Sequence, residues 1–474
     1  MSNTSNENSS PKLKRSLRLK DLVLLNIACI VGLTSLAQVA QFGFGSIILY
    51  ILAIIAYLIP SGLIVSELNA RMPEEGGFYL WIKKAFGDLH GYTAAWAYWL
   101  SNIVWLPTVL LGIAISGLYF MGEDYLYLKN DPVFIGFLCL GILWFITLIN
   151  IVGMEKAKWI QNLGGIALWV TVVMLFIFGG IYIFDIGSAH QFSAANLIPD
   201  FTDFSLLPFF AIVAFCFGGL ELGPIMAGEI ENPKINIPKA IVISSVMVGL
   251  IYIIGTLTLI VTVPEGKIEI IAGVAQSFFK FGESYSIPGI GILGAALVVI
   301  STIGAFGGWL TGTARLPFVV GLDHYLPDAV GRIHPKFQTP YVALVMQGTV
   351  MSLLFLSSIV GSTIEEAFLI LLDMSIILYF IPILYMFASM IPHHIRNTGG
   401  EGIIELFRKR PKLVWITAGM GFLITLFSTI ISAVPTSEIE DKTLFVFKVV
   451  GGAFILITLG QLVYFIKKKR VKNI

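Results

Sequence analysis

The sequence has few charged residues and lacks the motifs of several protein classes. Asp, Glu, Lys and Arg make up 12% of the 474 residues and hydrophobic residues 57%, with a mean hydropathy of +0.87. This composition excludes a soluble chain, which must cover its surface with polar groups. There is no Gly-rich segment ending in Lys-Ser or Lys-Thr, which argues against an ATP-driven pump. With no apparent nucleophile arrangement, we expect no enzyme and no cofactor.

The cysteines, the histidines and the net charge give no reason to expect a disulfide, a metal ion or a nucleic-acid partner. The three cysteines, Cys29, Cys139 and Cys216, are far apart in sequence and predict neither a disulfide nor a metal site. The histidines form no metal-ligand cluster, so no metal is expected. The net charge of +1 gives no reason to expect nucleic acid as a partner.

Residues 1–20 are polar and basic without an apolar core, so we expect the first apolar run to direct membrane insertion.

Long apolar runs recur along nearly the whole chain. A bilayer core needs about 20 mostly apolar residues per helical crossing, and only helices satisfy their backbone polar groups without a partner strand. We therefore predict an all-α integral membrane protein of about twelve crossings. The predicted crossings are 21–42, 46–69, 91–120, 132–152, 160–184, 205–229, 238–263, 287–313, 340–360, 366–390, 413–434 and 443–466.

The positions of Lys and Arg predict the orientation of these crossings. Positive residues beside a crossing are retained on the cytoplasmic side during insertion. If both termini are cytoplasmic, all but five of the 30 Lys and Arg residues fall on that side. We therefore expect a multi-pass protein of the cell membrane with cytoplasmic tails at 1–20 and 467–474, in contact with the lipid bilayer. The five exceptions are Lys129, Lys267, Lys280, Lys442 and Lys448.

The first and sixth crossings share an interruption. Small or polar residues break the apolar run at mid-membrane depth, at Gly32-Leu33-Thr34-Ser35 and at Phe217-Gly218-Gly219-Leu220-Glu221. Five crossings separate their starts, and an odd number reverses orientation, so the two halves are predicted to be inverted copies. Interrupted helices in matching positions of two halves indicate a transporter whose site lies where the interruptions meet.

The unwound helix ends can bind a charged substrate through their unpaired backbone groups. Their N–H and C=O groups lose intrahelical partners, and each end carries an effective charge of about half a unit. A zwitterion can satisfy both ends, with its carboxylate at 32–35 and its ammonium at 217–221. The alternative is that these glycines only allow close helix packing, a common use of small residues in membranes.

Three motifs resemble the amino acid/polyamine/organocation (APC) family of secondary transporters over essentially the full chain. The segment 73–81 (PEEGGFYLW), followed by AFG at 85–87, is similar to a family loop after the second helix. The segment 215–221 (FCFGGLE), with Glu229, Asn232 and Pro233, is similar to the family's sixth helix. Gly308-Trp309, Ala314-Arg315, Gly321–Asp323, Leu326-Pro327 and Thr339-Pro340 resemble the eighth helix and the loop after it.

The resemblance implies a leucine-transporter-type core of ten helices in a 5+5 inverted repeat, with alternating access around a central site. The first repeat would be 21–184, the second 205–390, and 413–466 would form two peripheral helices. The stretch from Gly32 would hold a substrate carboxylate. Phe215 and Trp309 match gating aromatic residues, and Tyr98 and Glu221 match an inner gate.

The predicted binding residues come from both interruptions and from the third crossing. Glu221 is the acid with the best reason to lie inside the membrane, since it can bind a substrate ammonium, hold a proton, or pin the two broken helices through a hydrogen bond. Asp373 is either a selectivity residue or part of a packed helix contact. Ser101 and Asn102 are candidate side-chain selectors or ordinary interhelical hydrogen-bonding residues. The full set is Gly32, Leu33, Thr34, Ser35, Ser101, Asn102, Phe215, Phe217, Gly218, Gly219 and Glu221.

These observations favour a secondary active transporter of amino acids, working by exchange or by proton coupling. Glu221 and Asp373 in one bundle suggest a polyamine or cationic amine carrier as the alternative. A third hypothesis is an amino acid sensor that binds without translocating. No oligomeric state is predicted.

Overall fold

The computed structural model describes residues 17–471 apart from 75, 153, 194, 199–206, 226, 228–229, 320–324, 327, 338, 398–404 and 437–438. The regular elements in these described ranges are all helices. The all-α prediction is confirmed. Of the motif residues, Glu75, Glu229, Gly321–Asp323 and Pro327 lie outside the described part of the chain.

Ten helices of the described chain are long and apolar enough to cross a membrane, and a bent pair, Leu19–Ile30 with Leu33–Ala40, gives an eleventh crossing. The predicted crossing at 205–229 is represented by two shorter helices on either side of a break. The predicted membrane fold is thus confirmed. The helices are α1 Leu19–Ile30, α2 Leu33–Ala40, α3 Gly43–Arg71, α4 Phe78–Phe86, α5 Asp88–Met121, α6 Pro132–Val152, α7 Met154–Asp185, α8 Leu207–Cys216, α9 Leu222–Ile225, α10 Pro233–Thr262, α11 Gly273–Ser284, α12 Gly289–Val319, α13 Tyr341–Ile359, α14 Ile364–Ile395, α15 Glu405–Lys409, α16 Pro411–Ile431 and α17 Lys442–Lys468.

The loop at 73–81 packs against the broken sixth crossing. Gly77 has φ +46°, and a Cβ there would lie 2.9 Å from the backbone nitrogen of Ile225 in α9. The N–H of Gly76 donates to the carbonyl of Ile225 at 3.3 Å. A side chain at Gly77 would be strained and would collide with backbone, so the two glycines let this loop hold α9 in place.

Helix α10 fixes both halves of the first crossing. On the side of α1, the Asn26 amide donates to Ser244 Oγ at 3.1 Å. On the side of α2, Thr256 Oγ1 lies 3.4 Å from the Leu36 carbonyl. Ser244 and Thr256 are both buried on α10, so one continuous helix sets the relative position of two half-helices.

Helices α7 and α12 approach each other backbone to backbone. A Cβ on Gly164 would lie 2.5 Å from the Cα of Gly304. Small residues permit such contact between membrane helices, which gain van der Waals packing without a hydrophobic driving force. The pair forms one wall of the cavity described below.

The chain before α1 pairs with the chain after α9. Leu17 and Ile230 form a single β-bridge, and the N–H of Glu231 donates to the Leu17 carbonyl at 3.0 Å. The Arg18 guanidinium lies 3.6 Å from the Glu231 carboxylate, with the Arg18 side chain 70% exposed and the Glu231 side chain 42% exposed. The ends of the first and sixth crossings are therefore linked at one face of the protein.

Candidate functional site

The first crossing is broken at Val31-Gly32. Helix α1 ends at Ile30 and α2 begins at Leu33, and the two helices are bent by 50°. The sequence predicted an interruption over Gly32-Leu33-Thr34-Ser35. Within the described chain, Gly32 lies in the break, whereas Leu33, Thr34 and Ser35 form the first turn of α2. A buried tyrosine of α10 bonds the backbone on both sides of this break.

Tyr252 of α10 bridges the break in the first crossing. Its hydroxyl donates to the Ile30 carbonyl at 2.7 Å and accepts from the Gly32 N–H at 3.1 Å. One side chain thereby satisfies a carbonyl and an amide that the break removes from the helical ladder. Tyr252 is fully buried, so its hydroxyl replaces the water that would otherwise be needed.

The start of α2 faces the cavity with unused donors. The N–H groups in the first turn of a helix have no intrahelical partner, and Leu33, Thr34 and Ser35 all line the cavity. The Ser35 N–H is engaged with the Gly32 carbonyl at 3.1 Å. The N–H groups of Leu33 and Thr34, at the positive end of the helix dipole, are therefore the donors suited to an anion.

The sixth crossing is broken between Cys216 and Leu222. Gly219 in this break has φ +111°, a conformation that L side chains rarely adopt. A Cβ on Gly219 would lie 3.0 Å from the Ile30 side chain at the end of α1. The two interruptions therefore lie next to each other, as the sequence predicted.

Glu221 is held by three donors inside the protein. The hydroxyls of Tyr98 and Tyr379 both donate to its Oε1 at 3.0 Å, and the N–H of Gly219 donates to its Oε2 at 3.1 Å. The same N–H lies 2.9 Å from Tyr379 Oη. The two tyrosine hydroxyls contact Oε1 and the Gly219 N–H contacts Oε2, so each oxygen of the carboxyl group has at least one partner. Glu221 joins α5, α14 and the broken sixth crossing.

Both breaks open on one cavity of about 460 Å³. Its lining includes every predicted binding residue except Phe217, together with the predicted gating residues. Among the described residues that line it, Glu221 is the one carboxylate, and Lys, Arg and His are absent. The cavity therefore offers one acidic group, neutral hydrogen-bonding groups and aromatic surface.

Ser101 and Asn102 both line the cavity and both bond to the helix that carries them. Each donates to the Tyr98 carbonyl at 2.7 Å, Ser101 through Oγ and Asn102 through Nδ2. Asn102 retains its amide oxygen and a second N–H for other partners. The structure brings these two residues to the cavity beside Tyr98, one turn away on α5.

Aromatic rings close two sides of the cavity. Phe215 meets Tyr379 edge to face at 5.3 Å between ring centroids. Trp309 meets Trp105 in the same geometry at 5.6 Å. All four rings line the cavity. Phe215 and Trp309, which the sequence predicts as gates, therefore each pack against a second ring that the sequence did not predict to line the site.

Two predicted residues lie away from the cavity. Phe217 is 1% exposed, and its ring packs edge-on against Tyr50 and Tyr252 at 6.0 and 5.7 Å. Asp373 is 2% exposed on α14 and is not among the lining residues. Within the described residues its Oδ1 has no hydrogen-bond partner. The geometry favours packing for Phe217 and leaves Asp373 apart from the substrate space.

Sequence reasoning missed several residues that contact the cavity. Tyr379 and Tyr252 were not predicted as site residues, because the sequence around a buried tyrosine does not show which distant group its hydroxyl will bond. Trp105 lies seven residues after Tyr98, two turns along α5, so helical periodicity would have placed both on one face. Ser301 and Thr302 of α12 line the same wall and add hydroxyl groups. No group of His, Cys, Asp and Glu suited to a metal ion occurs within the described part of the chain.

Comparison of the sequence with known proteins identifies its family. A sequence model of the amino acid permease family matches residues 17–455. An uncharacterized transporter of Legionella pneumophila is 26% identical, covering 94% of this chain and 95% of its own. A probable agmatine/putrescine antiporter, AguD, of Lactococcus lactis is 25% identical over 94% of both chains. A glutamate/gamma-aminobutyrate antiporter of Lactococcus lactis is 23% identical over 81% of this chain and 77% of its own.

The family match covers both interruptions and the helices that support them, and two of these relatives are named as antiporters. The predicted APC resemblance is confirmed, and the protein is a multi-pass membrane transporter of a small molecule rather than an enzyme. The chain belongs to the amino acid permease family.

Proposed function

We propose that this protein is a secondary active transporter of amino acids, working by exchange or proton coupling through alternating access around the two broken crossings. One observation carries the proposal. The positive end of α2 and the Glu221 carboxylate face the same cavity, at adjacent breaks.

A zwitterion fits this arrangement. Its carboxylate would accept hydrogen bonds from the N–H groups of Leu33 and Thr34, where the helix dipole adds attraction. Its ammonium would bind Glu221 Oε2, which accepts one described hydrogen bond and so retains acceptor capacity. Carbonyls at the end of α8 supply the negative end of a second dipole.

The side chain of the substrate would point toward neutral groups. Ser101, Asn102 and the hydroxyls of α12 can hydrogen-bond a polar side chain, and Trp105 and Trp309 offer aromatic surface. The absence of Lys, Arg and His among the described lining residues gives an anionic side chain no counter-charge. Neutral and cationic amino acids are therefore the expected substrates.

Gating would use the residues that connect the helices around the cavity. Tyr98 and Glu221 join α5 to the broken sixth crossing, and this contact must part for the substrate to pass on that side. Phe215 and Trp309 would cover the substrate, since each ring lines the cavity and contacts another ring. In the proposed orientation both termini are cytoplasmic in the cell membrane.

A polyamine or cationic amine carrier is the second candidate. Its support is that the carboxylate of Glu221 stands without a basic partner in the described lining, and that a relative is a probable agmatine/putrescine antiporter. Asp373, which does not line the cavity, no longer strengthens it. Thermal-shift measurements separate the two, because stabilisation by putrescine but not by any amino acid would favour the amine carrier.

Uptake into proteoliposomes tests the proposal. Vesicles loaded with unlabelled amino acids should take up labelled amino acid, and Trp309→Ala should reduce that uptake. Ligand binding without uptake or exchange would favour a sensor. Failure to bind or transport any amino acid or diamine would contradict both carrier proposals.

A further inference from the structure

An apolar groove lies on the outer surface of the helix bundle, away from the substrate cavity. It has a volume of about 540 Å³ and is lined by Ala56 of α3 and by Trp415, Ile416, Gly419, Met420 and Leu423 of α16. Ala56 belongs to a π-helical turn, Ile54–Leu58, inside α3. The groove is open outward, since Ile416 and Leu423 are 62% and 66% exposed.

The groove lies at membrane depth. Helix α16, Pro411–Ile431, is one of the candidate membrane crossings, so hydrocarbon surrounds its exposed face. Gly419 deepens the groove, because a Cβ there would meet no atom within 4 Å. A carbon-lined recess of this kind in a bilayer suits an acyl chain, which restores the van der Waals contacts that an empty recess would lack.

Basic residues lie immediately before and at the start of α16, the helix that lines the groove. The segment Arg408-Lys409-Arg410-Pro411-Lys412 carries four positive residues and no acidic one. Lys412 is exposed in the first turn of α16, and Lys412, Ile416, Gly419 and Leu423 follow the i, i+4, i+7, i+11 spacing of one helix face. Trp415 beside them has the amphipathic ring that is enriched at membrane interfaces.

We propose that this face binds one anionic phospholipid, with an acyl chain in the groove between α3 and α16 and the headgroup at Lys412 and its basic neighbours. Charge complementarity selects the headgroup, since basic clusters beside a membrane crossing attract anionic lipids. The site is separate from the substrate cavity, and the proposal does not depend on which substrate is transported.

Fluorescence quenching at Trp415 tests the proposal. The full chain is reconstituted in phosphatidylcholine vesicles that contain a small, equal fraction of brominated phosphatidylglycerol or brominated phosphatidylcholine. The signal of Trp415 is the difference between the unmodified chain and Trp415→Phe. Brominated phosphatidylglycerol should bind at Trp415 at least about fivefold more tightly than brominated phosphatidylcholine.

Two variants separate the headgroup from the acyl chain. Lys412→Gln should lower the preference for phosphatidylglycerol about fivefold, whereas Lys239→Gln, at an exposed lysine of α10, should not change it. Gly419→Leu should reduce quenching by both lipids because it fills the groove. Gly141→Leu is its control, since Gly141 is exposed on α6 and also has open space around its Cβ position.

Equal quenching by the two lipids in the unmodified chain would overturn the headgroup assignment. Unchanged quenching in a folded Gly419→Leu variant would overturn the groove as the acyl-chain site. The headgroup assignment is decided by comparing the two lipids in the unmodified chain and needs no variant. Gly419→Leu should fold, because the space around the Cβ position of Gly419 is open.

Discussion

At the scale of single residues, Tyr379 has the most connected role in the site. Its hydroxyl donates to Glu221 and accepts from the Gly219 N–H, and its ring contacts Phe215 and Tyr98 at 5.3 and 6.0 Å. A Cβ on Gly218 would lie 2.6 Å from the Tyr379 hydroxyl. Tyr379 therefore sets the position of the Glu221 carboxylate.

The variant Tyr379→Phe should weaken substrate binding. Glu221 loses one of its two tyrosine donors, and a hydrogen bond to a charged group contributes about 2 kcal/mol. We expect the dissociation constant, measured by calorimetry, to rise by up to roughly 30-fold, the limit reached if the whole contribution is lost from binding. Tyr92→Phe is the control, because the Tyr92 hydroxyl donates to the Gly460 carbonyl at 2.9 Å and lies outside the cavity lining. Equal affinities in the two variants would contradict the role of Tyr379.

At the scale of secondary-structure elements, the break in the first crossing depends on α10. Tyr252 satisfies the Ile30 carbonyl and the Gly32 N–H, while Ser244 and Thr256 hold the helices on either side. The interruption is therefore a supported structure rather than a local loss of order.

The variant Tyr252→Phe should destabilise this break. It leaves two buried backbone groups without their partner, which costs about 2 kcal/mol. We expect a lower melting temperature and faster hydrogen exchange at the Gly32 amide. Tyr50→Phe is the matched control, since the Tyr50 hydroxyl bonds only the Thr256 hydroxyl among its described partners, and its loss leaves no backbone group unpaired. Unchanged exchange at Gly32 would count against this account.

The contact between α7 and α12 gives a second prediction for elements. Gly164→Ala puts a Cβ 2.5 Å from the Cα of Gly304, and backbone cannot move aside as a side chain can. The helices must separate, at a cost of about 1 to 3 kcal/mol, which should lower the melting temperature. Gly165→Ala has open space and gains the same helix propensity, so it should be neutral or stabilising. Equal melting temperatures would show that the contact is not tight.

At the scale of the whole molecule, the crossings could be predicted from the sequence because a helix that spans the lipid must contain about 20 mostly apolar residues. The crossing at 132–152 has the predicted bounds, since Pro132 begins the helix. The amphipathic helices α4 and α11 were not predicted because they are short and lie between crossings. The 5+5 repeat and its boundaries stay a prediction.

The residues of the candidate site could be predicted where their own sequence segment marks them out. Two interruptions and a membrane acid stand out in the sequence, so Gly32, Gly219 and Glu221 were selected. Tyr252 and Tyr379 act through helices far away in the chain, and only tertiary structure reveals them. Phe217 and Asp373 were selected from neighbours in sequence, but the directions of their side chains lead away from the cavity.

We propose that the Glu221 carboxyl group, at the meeting point of two broken crossings, binds the ammonium of the transported molecule. Counterflow in proteoliposomes tests it directly, comparing the unmodified chain with Glu221→Gln and with Tyr92→Phe. We expect substrate-driven exchange in the unmodified chain and in Tyr92→Phe, and its loss in a folded Glu221→Gln variant. Exchange at the unmodified rate in Glu221→Gln would contradict it.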